Sequence, residues 1–469
     1  MPKFLTLFLS LAISLAIPAS AWANSGPVYW QGYPSLDVIS IQEDSPLTVE
    51  SEYLLFDFSS TEKSYYAPEA QVTATYEMFN PTDQPQTTTM AFPLIGTCES
   101  LWSKDIKITA DGQELPYNIY FGDAVGKSGS SFQKDDTPQL DFTSILKGIH
   151  TNPYQARNFS LQEKGILYTI EVSPPDNQQV DLEIKFVLDA NQSKVLTKGF
   201  NSYSYQADID MITIGSRCYK PEILEILEIL VLGQDLQLEI NCSSSTYQTN
   251  VQEVDLKSYL LDYAAKFFPD HSDYSKTVLD DPSFRDQLYN LFAECLDLGF
   301  TQNQGFCSED TIMEALHVNR IITLLYSVDF PAGGKQQVSV SYRTTGTMDR
   351  TQTVNPLYTF QYFLNPAENW SSFKNLDIKI ITPEKAPYIV ASNIELRAEG
   401  RQTYTATLEN LPENNFFFSL YEVEEITIFD KAQGYLNLKF GYLAPLVPWI
   451  ILAVLIVAII TLRKRIKNR

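Results

Sequence analysis

Along most of the chain, apolar and polar residues alternate one by one. In "VTATYEMF" (72–79), Val72, Ala74, Tyr76 and Met78 share one parity, and Thr73, Thr75 and Glu77 share the other. Successive side chains of a strand point to opposite faces, so this alternation predicts a half-buried strand. The turn-forming "NPTDQP" (80–85) follows, and "TTTMAF" is expected to return as the hairpin partner. The same period recurs in "DLEIKFVL" (181–188), "QVSVSY" (337–342), "LDIKII" (376–381) and "TYTATL" (403–408). In "ILEILEILVLGQDLQLEI" (223–240) the ILE triplets fit a helix. The break at Gly233, Gln234 and Asp235 favours two buried strands instead.

One stretch changes period. "LKSYLLDYAAKFF" (256–268) has Leu256, Leu260, Tyr263 and Phe267 at helical spacing and stops at Pro269. Asp281 followed by Pro282 marks a second helix start. Phe284, Leu288, Leu291 and Cys295 line one of its faces, and Gly299 is expected to close it. Ser308 opens a third, short helix. The pattern predicts a mainly β protein of two β-sandwich domains with a small helical insert, plus one C-terminal transmembrane helix. The expected boundaries are a signal peptide over 1–23, an N-terminal sandwich over 24–215, a β-rich connection over 216–251, a helical subdomain over 252–318, a C-terminal sandwich over 319–440, a membrane span over 444–462 and a basic cytoplasmic tail over 463–469.

The two ends carry the expectation of location. Residues 1–23 have one lysine, an apolar core and the small-x-small triplet ending at Ala23, where signal peptidase is expected to cut. "APLVPWIILAVLIVAIITL" (444–462) holds no charge, and "RKRIKNR" follows, beginning with Arg463, Lys464 and Arg465. An apolar run of that length forms a helix in hydrocarbon, with its basic flank on the cytoplasmic side. The expectation is a single-pass plasma-membrane protein with its bulk extracytoplasmic. Between the two ends, 28 Lys+Arg stand against 57 Asp+Glu, a balance of −29. Such a field repels nucleic acid and anionic lipid, so a nucleic-acid partner is not expected.

Five cysteines in an exported chain raise disulfides. Cys295 with Cys307 and Cys218 with Cys242 are the local pairings, among others that four cysteines allow, and Cys98 is left over. Candidate chemistry is sparse. "GDAVGKS" (122–128) has Phe121 where a phosphate loop needs glycine, and reads as a flexible loop. "FDFSST" places Asp57, Ser59 and Thr61 loosely like a von Willebrand A metal site, but amid strands, where Asp57 reads as a strand-end residue. His150, His271 and His317 lie far apart without HExxH, GxSxG or CxxC. No catalytic, cofactor or metal residues are assigned. A pair of carboxylates distant in sequence stays open, as in glycoside hydrolysis.

"VTATYEMFNPTDQPQTTTMAFPLIG" followed by "DIKITADGQEL" resembles the vault-protein/inter-alpha-trypsin (VIT) β-sandwich, through Asn80, Phe92, Pro93, Leu94 and Gly112. That resemblance implies a sandwich core over about 66–190, and the metal-binding A domain that often accompanies the module is missing. "VDFPAGGKQQVSVSY" with "YFLNPAENW" resembles an uncharacterised family of exported, membrane-anchored bacterial β-proteins. "MAFPLIG" and "VDFPAGG" read as strand ends rather than as a repeat, one in each β-domain. The functional expectation is a membrane-anchored binding or structural protein of the cell envelope, partnered by an envelope protein or glycan. The alternative is an envelope-acting hydrolase using dispersed carboxylates.

Overall fold

A computed structural model describes residues 28–467 except 42–44, 60–65, 99–100, 102–104, 126–144, 146–147, 150–152, 175–178, 219–224, 244–246, 266–279 and 365–369. The signal segment with Ala23, together with His150 and His271, lies outside the described residues. The described chain is mainly β, with several sheets and five helices.

The first sandwich is built from both ends of the described chain. Its eight-stranded sheet has at its centre Thr48–Asp57, Glu69–Phe79 and Lys335–Thr345, with Leu376–Ile381 parallel to Thr48–Asp57. The alternation of 72–79 holds: Val72, Ala74, Tyr76 and Met78 are buried. On the opposite face Thr73 and Ser341 share a 3.0 Å hydrogen bond, and Thr75 and Ser339 one of 3.1 Å. A six-stranded sheet packs on the apolar face through rings, with Phe56 5.1 Å from Phe418 and Phe58 4.9 Å from Phe360. Each fully buried ring contributes about 1.5–3 kcal/mol by leaving water. A four-stranded sheet covers the same face beside it, Phe92 lying 4.8 Å from Tyr342.

Two expectations change here. The strands Glu69–Phe79 and Gln86–Gly96 are not hairpin partners. Gln86–Gly96 crosses to the four-stranded sheet and pairs along its whole length with Arg320–Phe330. Asn80 sets this crossing: its buried amide donates to Gln84 O (2.9 Å) and Pro331 O (3.1 Å) and accepts from Thr82 N (3.0 Å). Nor does Pro93 end its strand. It pairs with Thr323, while the short strand on the other flank, Ile39–Ser40, reaches only Ala91 and Met90. The flank beside Pro93 is thus unpaired and needs no N–H from it. The two FP segments belong to one sheet and to two adjacent arches, since Gly333 N also donates to Thr82 O at 2.8 Å.

The middle of the chain makes the second sandwich. A five-stranded sheet is centred on Lys164–Val172 and Glu225–Gly233, and a second four-stranded sheet on Val180–Val187 and Met211–Cys218. Stretch 223–240 therefore resolves into two strands, Glu225–Gly233 and Glu239–Cys242. Ile229 and Val231 face the second four-stranded sheet, whereas Leu230 and Leu232 face the helices. These helices are α1 (Leu256–Ala265), α2 (Pro282–Gln302) and α3 (Glu309–His317). They fill the space between the sandwiches, with Phe284 of α2 6.1 Å from Phe121 of the first. The sandwiches are thus not sequential halves at 24–215 and 319–440: the second is inserted in sequence between the strands of the first.

Asp281 caps α2 through Ser283 N at 2.7 Å, with Pro282 in the first turn. Gly299 does not close α2, which runs on to Gln302. A Cβ there would lie 2.5 Å from Cys307 Sγ, so the glycine serves close packing. The five cysteines are thiols. Cys218 and Cys242 pair with Val180 and Leu182 from opposite sides of one strand. That places them at least two strand spacings, roughly 9–10 Å, apart, beyond the ~7 Å a disulfide allows. Cys307 donates instead to Leu296 O at 3.9 Å, and burial pushes the Cys295 thiol up to about 11. Neither expected bridge is formed.

After the last strand come α4 (Ile428–Phe440), with a capping box between Thr427 and Asp430, and α5 (Val447–Lys467). The described α5 side chains over 449–462 are apolar and exposed apart from Thr461, and Arg463 is exposed at their end. Among the described residues, no helix is long and apolar enough to cross a membrane.

Candidate functional site

Two arrangements hold chemistry. The first is closed. Glu52 shares strand parity with Leu54 and Phe56, and so points inward from the eight-stranded sheet, beside Tyr76 in the register. Asp37 follows Ser35–Leu36, which pairs with Tyr362–Phe363 of the six-stranded sheet. Both carboxyl groups have no exposure. Asp37 Oδ1 accepts from the Tyr76 hydroxyl and from Val38 N (2.7 Å). Asp37 Oδ2, both Glu52 oxygens and the hydroxyls of Tyr326 and Tyr342 complete no hydrogen bond among the described residues. Burial lifts Asp37 to about 7, although its two hydrogen bonds pull the other way. Burial also lifts Glu52 well above the usual carboxylate range. The charge of Asp37 adds to that rise, and the hydroxyls of Tyr362 and Tyr76 offset part of it. Charged carboxylates in such a setting are costly, so this pair holds protons that exposed acids would release.

This pair has the raised pKa values of an acid–base dyad but lacks access. A pocket of about 230 Å³ is lined by Ser35, Tyr342 and the "FPLIG" segment, but by neither carboxylate. A general acid must reach the proton it moves, and these two face protein on every side. Their role is internal, between two sheets.

The second arrangement is open. One edge strand of the five-stranded sheet is Phe306–Ser308, and one of the second four-stranded sheet is Ser202–Gln206. Tyr203 and Phe306 bridge these edges, their ring centroids 4.6 Å apart at 33°. Tyr203 is still 51 % exposed. On one side of it lies a pocket of about 430 Å³ walled by Asp189, Asn191, Tyr205, Asp210, Gln302 and Gln304. On the other side lies one of about 380 Å³ walled by Phe200, Asn201, Ser202, Asp310 and Thr311. Tyr203 and Asn303 line both, so the two pockets form one groove of the size that takes small ligands.

Local sequence builds this groove. Gln304 and Gly305 turn the chain with φ of 53° and 88°, which brings the end of α2 onto the 190–193 loop. A Cβ on Gly305 would press on Ala190 Cβ and Ser193 O, both at 3.2 Å. The Tyr205 hydroxyl is held by Asp210 Oδ1 (2.6 Å) and Gln304 Oε1 (2.7 Å). Asp189 accepts from Asn191 N (2.9 Å) and Gln192 Nε2 (2.7 Å), contacts that hold its carboxyl below the usual range. The side-chain amides of Asn201, Gln302 and Asn303 make no hydrogen bond among the described residues, and no Lys or Arg lines either pocket.

Among the described residues, none of the histidine or metal-site candidates of the sequence lines the groove. Asp57 accepts from Ser59 N at 2.8 Å as a strand-end turn. His317 is exposed at the end of α3, and among the described residues no group of three His, Cys, Asp or Glu could hold a metal. Of the cysteines weighed for bridges, only Cys307 touches the groove wall.

No family model and no curated protein matches the chain. One solved structure that it resembles is a Legionella pneumophila protein provisionally named a nutrient binding protein. The identity is 10 %, over 90 % of this chain and 77 % of that one, with a TM-score of 0.35. At that score the likeness carries no argument.

Proposed function

We propose that this is a single-pass, membrane-anchored binding protein of the cell envelope, with its bulk on the extracytoplasmic side. One observation carries the binding reading: the groove around Tyr203 is open, has an aromatic floor and offers amide groups without internal partners. A groove walled by exposed polar groups and a ring held in place fits recognition rather than bond-breaking. Location rests on the uncharged run 444–462 and the basic residues after it. α4, just before that run, leaves Ile428 and Phe429 85 % and 86 % exposed, an apolar surface at the membrane-proximal end. The resemblance to exported bacterial β-proteins agrees with this placement.

The test is retention of envelope material by detergent-solubilised full-length protein, compared with its Tyr203→Ala variant. Tyr203 is too exposed for its loss to unfold the domain, so wild type should retain a component that the variant loses. Equal retention by both, or none by either, overturns the binding reading.

A further inference from the structure

We infer that the Tyr203 groove takes an uncharged saccharide chain; this deepens the binding reading and rests on it. Three features narrow the ligand. The first is the floor. Tyr203 is backed by Phe306 and keeps about half its surface exposed, a rigid ring against which the C–H face of a sugar can lie. The second is the set of polar groups. Asn201, Gln302 and Asn303 each present an amide that can donate and accept at once. A sugar hydroxyl also does both, whereas a phosphate or carboxylate ligand can only accept.

The third is charge. Asp189, Asp210 and Asp310 line the groove and no Lys or Arg does, inside an ectodomain balanced at −29. Lys194, bonded to Ala190 O beside Asp189, offsets one of these three carboxylates, so an anionic polymer still meets net repulsion. The shape agrees with a chain rather than a single ring. The two pockets meet at Tyr203 and Asn303 and are both open, so consecutive units can occupy them while one stacks at the junction. A cationic peptide would also satisfy the charge and the amides, and is therefore the competing outcome that the test separates.

The test uses full-length protein in detergent with hexamers of glucose and of N-acetylglucosamine, a hexamer of galacturonic acid, and hexalysine. Saturation-transfer difference NMR should show ring C–H protons of a neutral hexamer receiving magnetisation from the protein. Titration should show Tyr203→Ala and Asn303→Ala each weakening that binding by at least about tenfold. Tyr203→Phe should retain it, because the ring rather than the hydroxyl makes the contact. Equal binding of the galacturonate hexamer overturns the charge argument. Hexalysine binding lost in Tyr203→Ala overturns the saccharide assignment while leaving a binding groove. If no hexamer binds in a Tyr203-dependent way, the saccharide assignment fails, and envelope retention then decides the broader reading by itself.

Discussion

Glu52, by strand parity, and Asp37, in the link between two short strands, both reach a place where carboxylates are rarely found. Between two sheets Asp37 holds its proton up to about pH 7, whereas in an unfolded chain it would release it near 3.9. The folded state then binds more protons than the unfolded one between those values. Its stabilising share is therefore fully present below about 3.9 and is lost as pH rises through about 7. Urea midpoints between pH 4.5 and 7.5 should fall with pH more steeply for wild type than for Asp37→Asn; parallel slopes would contradict this assignment. Tyr76→Phe should cost about 1–3 kcal/mol at pH 5, because it removes the hydroxyl that Asp37 accepts from. The pair was partly legible in the sequence. Glu52 stands at the parity of Leu54 and Phe56, and Asp37 interrupts the apolar run of Leu36, Val38 and Ile39. Their meeting was not legible, because it depends on how two sheets stack. The groove was still less so: Tyr203 and Tyr205 alternate in "NSYSYQ", but Phe306 arrives from about a hundred residues away.

At the scale of elements, local pattern predicted type better than partner. The strand at 72–79, the two strands within 223–240, the Asp281 cap and the short helix after Ser308 all follow from periodicity and capping chemistry. What failed was the hairpin, because a turn sequence does not say whether the chain folds back in the same sheet or arches to the next. Asn80 makes that choice through partners on both arches. Asn80→Ala should therefore destabilise the protein by about 1–3 kcal/mol, read as a lowered urea midpoint, since it removes the buried amide that ties the two arches together. An effect within about 0.5 kcal/mol, as at an ordinary surface position, would remove Asn80 from this role. Gly299 misled for a related reason. A glycine near a helix end resembles a stop signal, and only Cys307 packed against it reveals a contact that excludes any side chain.

The whole molecule is a sandwich whose strands come from the two ends of the described chain, with helices and a second sandwich between them. Sequence order hid this because alternation gives each strand a face but no partner. A fragment spanning 24–251 holds most strands of the second sandwich, without its edge strand Phe306–Ser308, and lacks Arg320–Phe330, Lys335–Thr345 and Leu376–Ile381, the partners of the first. Gln86–Gly96 and the outer edges of the pair Thr48–Asp57 and Glu69–Phe79 should remain unpaired and the fragment insoluble; a soluble fragment with cooperative unfolding would contradict the topology. The groove lies on the middle segment, and the basic tail follows the apolar run beyond the last strand. The proposed placement thus leaves the binding face outside the cell while 444–462 holds the molecule at the membrane. Protease added to intact cells carrying a tag after Arg469 tests that placement most directly. The account predicts loss of the full-length band and survival of a short tagged fragment that stays with the membrane. A full-length band that survives in intact cells, and is cut only after lysis, would contradict it.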